Sequence, residues 1–241
     1  MKAKNLAWVG MTALGVLTSC GKDLITYKEN DIKISVTEGD EWLHDFPLFL
    51  GINKKNPPQI AIWIEDKSGK YLTSIYVSHK IATESWQFNG GNRRKEALPV
   101  WCYARGIVYP DGLYLPTKEE PLVDGISGAT PRGSFDVKIH PADDLKQFVV
   151  KIELNQSKDW NDYYPKNAKE SDANYSGGEG GSGQPAVVYS AEIDLTSSQK
   201  QYTAELIGHS SVDGSNGDIY PDTSTLTSAL KIVKAITIQI Q

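Results

Sequence analysis

The sequence predicts an all-β protein, an antiparallel β-sandwich of about eight strands with long loops and at most one or two short helices. Three observations predict this fold. Short segments rich in β-branched and aromatic residues alternate apolar with polar positions, as half-buried strands do. Clusters of Gly, Pro, Asn and Asp separate these segments. There is no regular succession of strand and helix patterns, which argues against a parallel nucleotide-binding sheet.

Eight segments carry the strand pattern. The clearest hairpin joins QIAIWIED to YLTSIYVS through Lys-Ser-Gly-Lys, where Gly69 can adopt a positive φ. One short helix is predicted within residues 223–234, where apolar residues recur at spacings of three and four. The predicted strands are residues 32–36, 59–66, 71–78, 134–139, 147–154, 186–195, 202–207 and 235–240.

Three irregular stretches interrupt the strands. Residues 41–56 and 79–98 lose the alternation but contain aromatic side chains that could pack on the core. Residues 159–184 form a long polar insertion ending in SGGEGGSG, and a loop of that length inside a domain is expected to be functional or disordered. No stretch resembles a domain linker, so residues 31–241 are predicted to form a single β-sandwich domain.

The charge balance restricts the partners. The chain has a formal net charge of -5 and no basic stripe. Binding to a nucleic-acid backbone requires clustered Lys and Arg, so no nucleic-acid partner is expected. Of the two cysteines, Cys102 lies in an apolar run and is expected to be a buried, inert thiol.

The first residues resemble a bacterial lipoprotein signal peptide. Two lysines precede an apolar run over residues 6–17, which is too short to span a bilayer, and Leu-Thr-Ser-Cys follows. The resemblance implies cleavage after residue 19, acylation of Cys20, and a polar tether over residues 20–30. Several acyl chains on one residue would anchor the protein lastingly, at about 0.8 kcal/mol per buried methylene. A plain secretory peptide is the alternative. The expected location is therefore the bacterial cell envelope, as a periplasmic or cell-surface lipoprotein.

Four segments together resemble an uncharacterised bacterial family of predicted periplasmic proteins. They are QIAIWIEDKSGKYLTSIYV, LPVW, VDGISGATPRGSF and GQPAVVYSAEIDL, in this order along the chain. The first hairpin is also similar to hairpins of flagellar hook-capping proteins. Both resemblances imply an immunoglobulin-like sandwich outside the cytoplasm, and neither brings an established activity.

The mid-chain motif Asp124-Gly-Ile-Ser127-Gly128-Ala129-Thr130 resembles the acceptor motif of covalently flavinylated proteins. The resemblance implies FMN attached to the Thr130 hydroxyl as a phosphoester, with Asp124 as a recognition residue and small neighbours that admit the segment to a transferase. Pro131 departs from that pattern. The alternative is a tight connection, in which Asp-Gly and Ser-Gly form turns before the next strand.

Other candidate sites are weaker. Trp160, Tyr163 and Tyr164 lie in the polar insertion and could stack on sugar rings or anchor a protein partner, or else fold back and cover the sandwich edge. The four histidines lack the spacing of a zinc site, and no metal is expected. The motifs of hydrolases and nucleotide-binding enzymes are missing, so no catalytic residue is predicted.

Two functional hypotheses follow from the sequence. The first is a non-enzymatic binding or accessory β-sandwich, without cofactor, that is held at the membrane and meets an envelope protein or glycan. The second is an extracytoplasmic redox carrier with covalent FMN on Thr130.

Overall fold

The computed structural model describes residues 31–47, 53–86 and 93–241. Across these residues there are twelve strands, two short α-helices, and single 3₁₀ turns at Gly178–Gly180 and Ser228–Lys231. The strands are β1 (Ile32–Glu38), β2 (His44–Pro47), β3 (Asn53–Asn56), β4 (Gln59–Glu65), β5 (Tyr71–Ser78), β6 (Ile126–Gly128), β7 (Phe135–Ile139), β8 (Gln147–Asn155), β9 (Val187–Asp194), β10 (Gln201–Thr203), β11 (Glu205–His209) and β12 (Val233–Ile240), and the helices are α1 (His79–Thr83) and α2 (Pro99–Arg105).

Ten of these strands form two sheets. One has six strands in the order β11-β9-β8-β4-β5-β6, and the other has four in the order β10-β12-β1-β7. Every pairing is antiparallel except that of β6 with β5, which is parallel. The remaining two strands, β2 and β3, form a separate hairpin. The predicted all-β sandwich with few short helices is confirmed, and each of the eight predicted segments contains a strand.

The six-stranded sheet is buried on both faces. On β4, Ile60, Ile62 and Ile64 point into the core shared with the four-stranded sheet. Ala61 and Trp63 point the other way, into a second apolar cluster that contains residues of both helices. Because neighbouring strand residues face opposite sides, β4 reads as a continuous apolar run rather than an alternating one.

The second cluster contains a buried acidic side chain, Glu153. Glu153 on β8 is fully buried and accepts hydrogen bonds from the backbone N–H groups of Val100 (3.2 Å) and Trp101 (2.8 Å) in the first turn of α2. These are donors that a helix cannot satisfy itself. Burial raises the pKa of Glu153 to about 8. Cys102 is buried on α2, as predicted, and burial raises the pKa of its thiol.

The polar insertion after β8 is held closed at its base. Asp159 donates its backbone N–H to Ser182 (2.7 Å) and accepts from the backbone N–H of Gln184 (2.9 Å). Its carboxylate also accepts from the Ser228 hydroxyl (2.5 Å). The loop is therefore tied to the turn before β12.

In the described ranges no helix has the length and hydropathy needed to cross a membrane.

Candidate functional site

Residues 122–133, here called the edge segment, run along the outer edge of the six-stranded sheet. Within it, Ile126, Ser127 and Gly128 pair with the last three residues of β5. As the alternative to a flavin-acceptor motif, the sequence suggested that Ser127 and Gly128 form a turn. The structure instead places both residues in β6. The physical reason is that β5 otherwise ends the sheet with unpaired N–H and C=O groups, which an extended segment satisfies better than a turn.

Asp124 fixes the start of the edge segment. Its carboxylate accepts a short hydrogen bond from the Tyr71 hydroxyl and lies 3.8 Å from Arg105, whose side chain is 1% exposed. The Arg105 guanidinium also lies 4.9 Å from the centre of the Trp101 ring. Burial, followed by the contact with Asp124, raises the pKa of Tyr71. The Asp124 side chain is still 33% exposed, so these contacts leave part of it accessible to solvent.

The middle of the segment lies flat against β5. A Cβ at Gly125 would come within 2.8 Å of the Ser74 Cβ, so this close approach requires glycine. Further along, the Tyr76 hydroxyl donates to the carbonyl of Ala129 (3.1 Å) and more weakly to that of Gly128 (3.3 Å). The backbone of the motif is thus held by β5 side chains. The Ser127 side chain remains exposed to solvent.

Thr130 lies where the segment leaves the sheet. Its hydroxyl is 2.8 Å from the hydroxyl of Ser78, the last residue of β5. Ser78 in turn accepts from the backbone N–H of Ile60 at 2.7 Å. The Thr130 side chain is half-buried and its position is set by a rigid strand end.

The first half of the edge segment lines an apolar cleft of about 800 Å³. It opens between β5 and the turn that joins β7 to β8. Several of its apolar side chains face solvent: Leu72 is 41% exposed, Ile126 62% and Val123 89%. Pockets of this size and lining bind small molecules or peptide side chains in many proteins. We refer to this site, lined also by Ile64, Thr73, Ser74, Ile75, Gly125, Ile139, His140, Pro141, Ala142, Asp144 and Leu145, as the apolar cleft.

The second half of the segment lines another cleft, of about 460 Å³, which contains Thr130. Lys54 of β3, Lys80 of α1 and Arg132 contribute three positive charges, and none of the described residues in its lining is Asp or Glu. We call it the cationic cleft, and its lining is completed by Asn56, Pro57, Gln59, Ser78, His79, Ser85 and Ala129. No local sequence pattern indicates this site, because its cations come from three separate parts of the chain.

Trp160, Tyr163 and Tyr164 of the insertion were expected either to contact a ligand or partner or to fold back onto the sandwich. The three side chains differ in how far they are exposed. Tyr164 is 2% exposed, and its hydroxyl bonds that of Thr225 at 2.9 Å, so it folds back onto the sandwich. Trp160 is half-buried beneath the Lys166 ammonium group, 5.6 Å from the ring centre. Tyr163, 53% exposed, packs edge-on against Tyr164. Of these three side chains, only that of Tyr163 is exposed.

Two further expectations from the sequence concern the acylation of Cys20 and the metal-binding capacity of the chain. Cys20, the expected acylation site, lies outside the described residues. Over the described ranges, no group of three or more His, Cys, Asp or Glu side chains is arranged to hold a metal ion. The edge segment and its two clefts therefore form the candidate functional site of the described residues.

Comparisons with protein-family models, with curated protein sequences and with solved structures gave no match.

Proposed function

We propose that the protein is a lipid-anchored, non-catalytic binding protein of the bacterial cell envelope, and that it binds its ligand or partner at the edge segment. One observation carries this proposal. Within residues 122–133, Val123, Gly125 and Ile126 line the apolar cleft, and Ala129, Thr130 and Arg132 line the cationic cleft. Asp124, Tyr76 and Ser78 hold this segment on a rigid sheet, which is what a preformed binding site requires.

The membrane anchor is proposed from the sequence pattern at Cys20. The tether of residues 20–30 spans at most about 40 Å when fully extended. Asp31, at the start of the described chain, bonds the His140 ring at 2.8 Å, and His140 lines the apolar cleft. The edge segment would therefore be kept near the membrane surface. Loss of labelling by a fatty-acid analogue in a Cys20→Ser variant would support the anchor, and retained labelling would oppose it.

A thermal-shift panel tests the binding function. The full-length chain in detergent is screened against neutral, apolar, cationic and anionic metabolites. A compound present at a hundred times its Kd adds about 2.7 kcal/mol of stability, which raises Tm by roughly 5–10 °C for a chain of this size.

Two tryptophan variants locate any binding that the panel finds. Ala129→Trp fills the cationic cleft and Ala142→Trp the apolar cleft, since both alanines are exposed cleft residues. Ala173→Trp, on the exposed part of the insertion, is the matched control. We expect one cleft variant to abolish the shift while the control retains it. A shift that survives both cleft variants, or a panel without any shift, would overturn the proposal.

Covalent flavinylation of Thr130 is the second candidate, and the position of its hydroxyl favours it. The hydroxyl lines a cleft whose three cations could neutralise a phosphoester. In the transfer, the Thr130 oxygen would form a bond to the FMN phosphorus of FAD, the FAD pyrophosphate bond would break, AMP would leave, and the hydroxyl proton would pass to a base of the transferase. Bound FMN would supply one- or two-electron redox chemistry, while this chain would supply position and charge.

Intact mass decides between the two candidates. The chain is coexpressed with a flavin transferase, supplied with FAD, and compared with Thr130→Ala and Ser127→Ala variants. A mass gain of one FMN ester that disappears only with Thr130→Ala would establish the redox carrier. An unchanged mass, while a control substrate of the transferase is modified, would eliminate it and leave the binding proposal standing.

A further inference from the structure

We propose that the cationic cleft binds a phosphate group, so that the ligand of this protein is a phosphate ester. This inference rests on the proposed binding function of the edge segment and adds the chemical class of the ligand. Phosphate is a small anion with several acceptor oxygens, and clustered Lys and Arg side chains with hydroxyl donors are its usual protein partners.

The first argument is uncompensated charge. Lys54, Lys80 and Arg132 line one cleft, and none of them forms an ion pair with a carboxylate of the described residues. The neighbouring Lys55, by contrast, is paired with Asp45 at 3.2 Å. Like charges held together without a counter-ion repel one another, and an incoming dianion removes that cost.

The second argument is the way the cations are held. Lys80 lies over the Trp86 ring at 5.7 Å from its centre, and Arg132 donates to the Lys55 backbone carbonyl at 3.0 Å. Burial, together with the nearby charges of Lys54 and Arg94, lowers the pKa of Lys80. Partly fixed side chains lose less conformational entropy when a ligand binds.

The third argument is an unsatisfied polar atom. Gln59 lines the cleft and is 7% exposed, and its buried Oε1 has no hydrogen-bond partner among the described residues. A buried acceptor without a partner costs about 1–3 kcal/mol. A hydroxyl donor elsewhere on the ligand, such as a sugar hydroxyl, would satisfy it. Thr130 and Ser78 add two hydroxyl groups at the same site.

Calorimetry with three probes tests the inference on the full-length chain in detergent at low ionic strength. The probes are inorganic phosphate, riboflavin 5′-phosphate and riboflavin, the last being the match that lacks the phosphate. We expect riboflavin 5′-phosphate to bind at least tenfold more tightly than riboflavin, and inorganic phosphate to compete with it.

Charge-removing variants locate the contact. Lys80→Gln and Arg132→Gln should each weaken binding of riboflavin 5′-phosphate about tenfold, the equivalent of one charge-assisted hydrogen bond. Lys55→Gln removes a charge from the same hairpin but from a side chain paired with Asp45, and it should leave the affinity unchanged. Gln59→Leu should also weaken binding, and its Tm shows whether the fold is intact.

The outcomes separate this inference from the proposed function. Equal binding of riboflavin and its phosphate, or equal effects of Lys80→Gln and Lys55→Gln, would overturn the phosphate inference while the edge segment remained a binding site. Failure of all three probes, when the metabolite panel gives a shift blocked by Ala129→Trp, would have the same meaning. A panel without any shift would overturn both. Binding that survives Thr130→Ala and is lost on dialysis identifies a free phosphate ester. A mass gain of the wild-type chain that is retained on dialysis and absent from Thr130→Ala identifies one esterified to Thr130.

Discussion

Replacing Asp124 by Asn tests whether the motif is built into the fold. Asp124 is the acidic partner 3.8 Å from Arg105, whose side chain is 1% exposed. Removing one partner of a buried ion pair costs about 3–5 kcal/mol. The cost is smaller here because the Asp124 side chain is 33% exposed and because Trp101 also contacts the guanidinium. Asn can still accept from the Tyr71 hydroxyl, so we expect a loss of about 2 kcal/mol.

Asp124→Ala removes both interactions, and it should cost about 4 kcal/mol because a hydrogen bond to a charged group adds about 1.5–3 kcal/mol. The assay is urea unfolding of the full-length chain in detergent, followed by tryptophan fluorescence. Asp162→Asn, on the exposed insertion, is the control and should stay within about 0.5 kcal/mol of the wild type. If Asp124→Asn matched this control, Asp124 would not hold the edge segment, and a role in recognition by another protein would be favoured.

Two further predictions concern the core and the insertion. Burial raises the pKa of Glu153 from its ordinary value of 4.5 to about 8, so its contribution to stability is largest below pH 4.5 and is lost as pH rises through 8. Between pH 5 and pH 8, Glu153→Gln should therefore gain roughly 2–4 kcal/mol relative to the wild type in urea unfolding, and parallel pH profiles would contradict this. Tyr164→Ala should cost about 3 kcal/mol and Tyr163→Ala less than about 0.5 kcal/mol, because their exposures are 2% and 53%; similar losses would show that the loop is not folded back as described.

The strands could be read from the sequence because their burial follows their pattern. On β1, Ile32, Ile34 and Val36 are all buried while the residues between them are half-buried, which is the alternation that predicted the strand. β6 could not be found in this way. It is three residues long, contains two polar or small residues, and exists because the edge of β5 accepts it. Its formation depends on a partner more than 45 residues away in the chain.

Helix α2 was missed for a related reason. Its residues, PVWCYAR, form a nearly continuous apolar run without the spacing of an amphipathic helix. Glu153, from β8, provides the cap at its start, and Gly106 ends it in the left-handed conformation. Local sequence patterns therefore could not predict that the helices cover the outer face of the six-stranded sheet.

The candidate site could be predicted only in part. The motif around Thr130 is visible in the sequence, because its residues are contiguous. Its surroundings are not, since Gln59, Lys80 and Thr130 belong to separate segments that meet through the pairing of β4, β5 and β6. Lys54 comes from the separate hairpin of β2 and β3. Charge convergence of this kind is a property of topology, and an unremarkable net charge of -5 conceals it.

Photo-crosslinking in living cells tests the central claim that the protein meets its ligand at the edge segment. A photoreactive phenylalanine is placed at Ser127 on β6 or at Glu205 on β11, which are exposed residues on opposite edges of the same sheet. Adducts are measured by intact mass and on gels. The account predicts an adduct from position 127 and none from position 205. Adducts from position 205 alone, or equally from both, would contradict it.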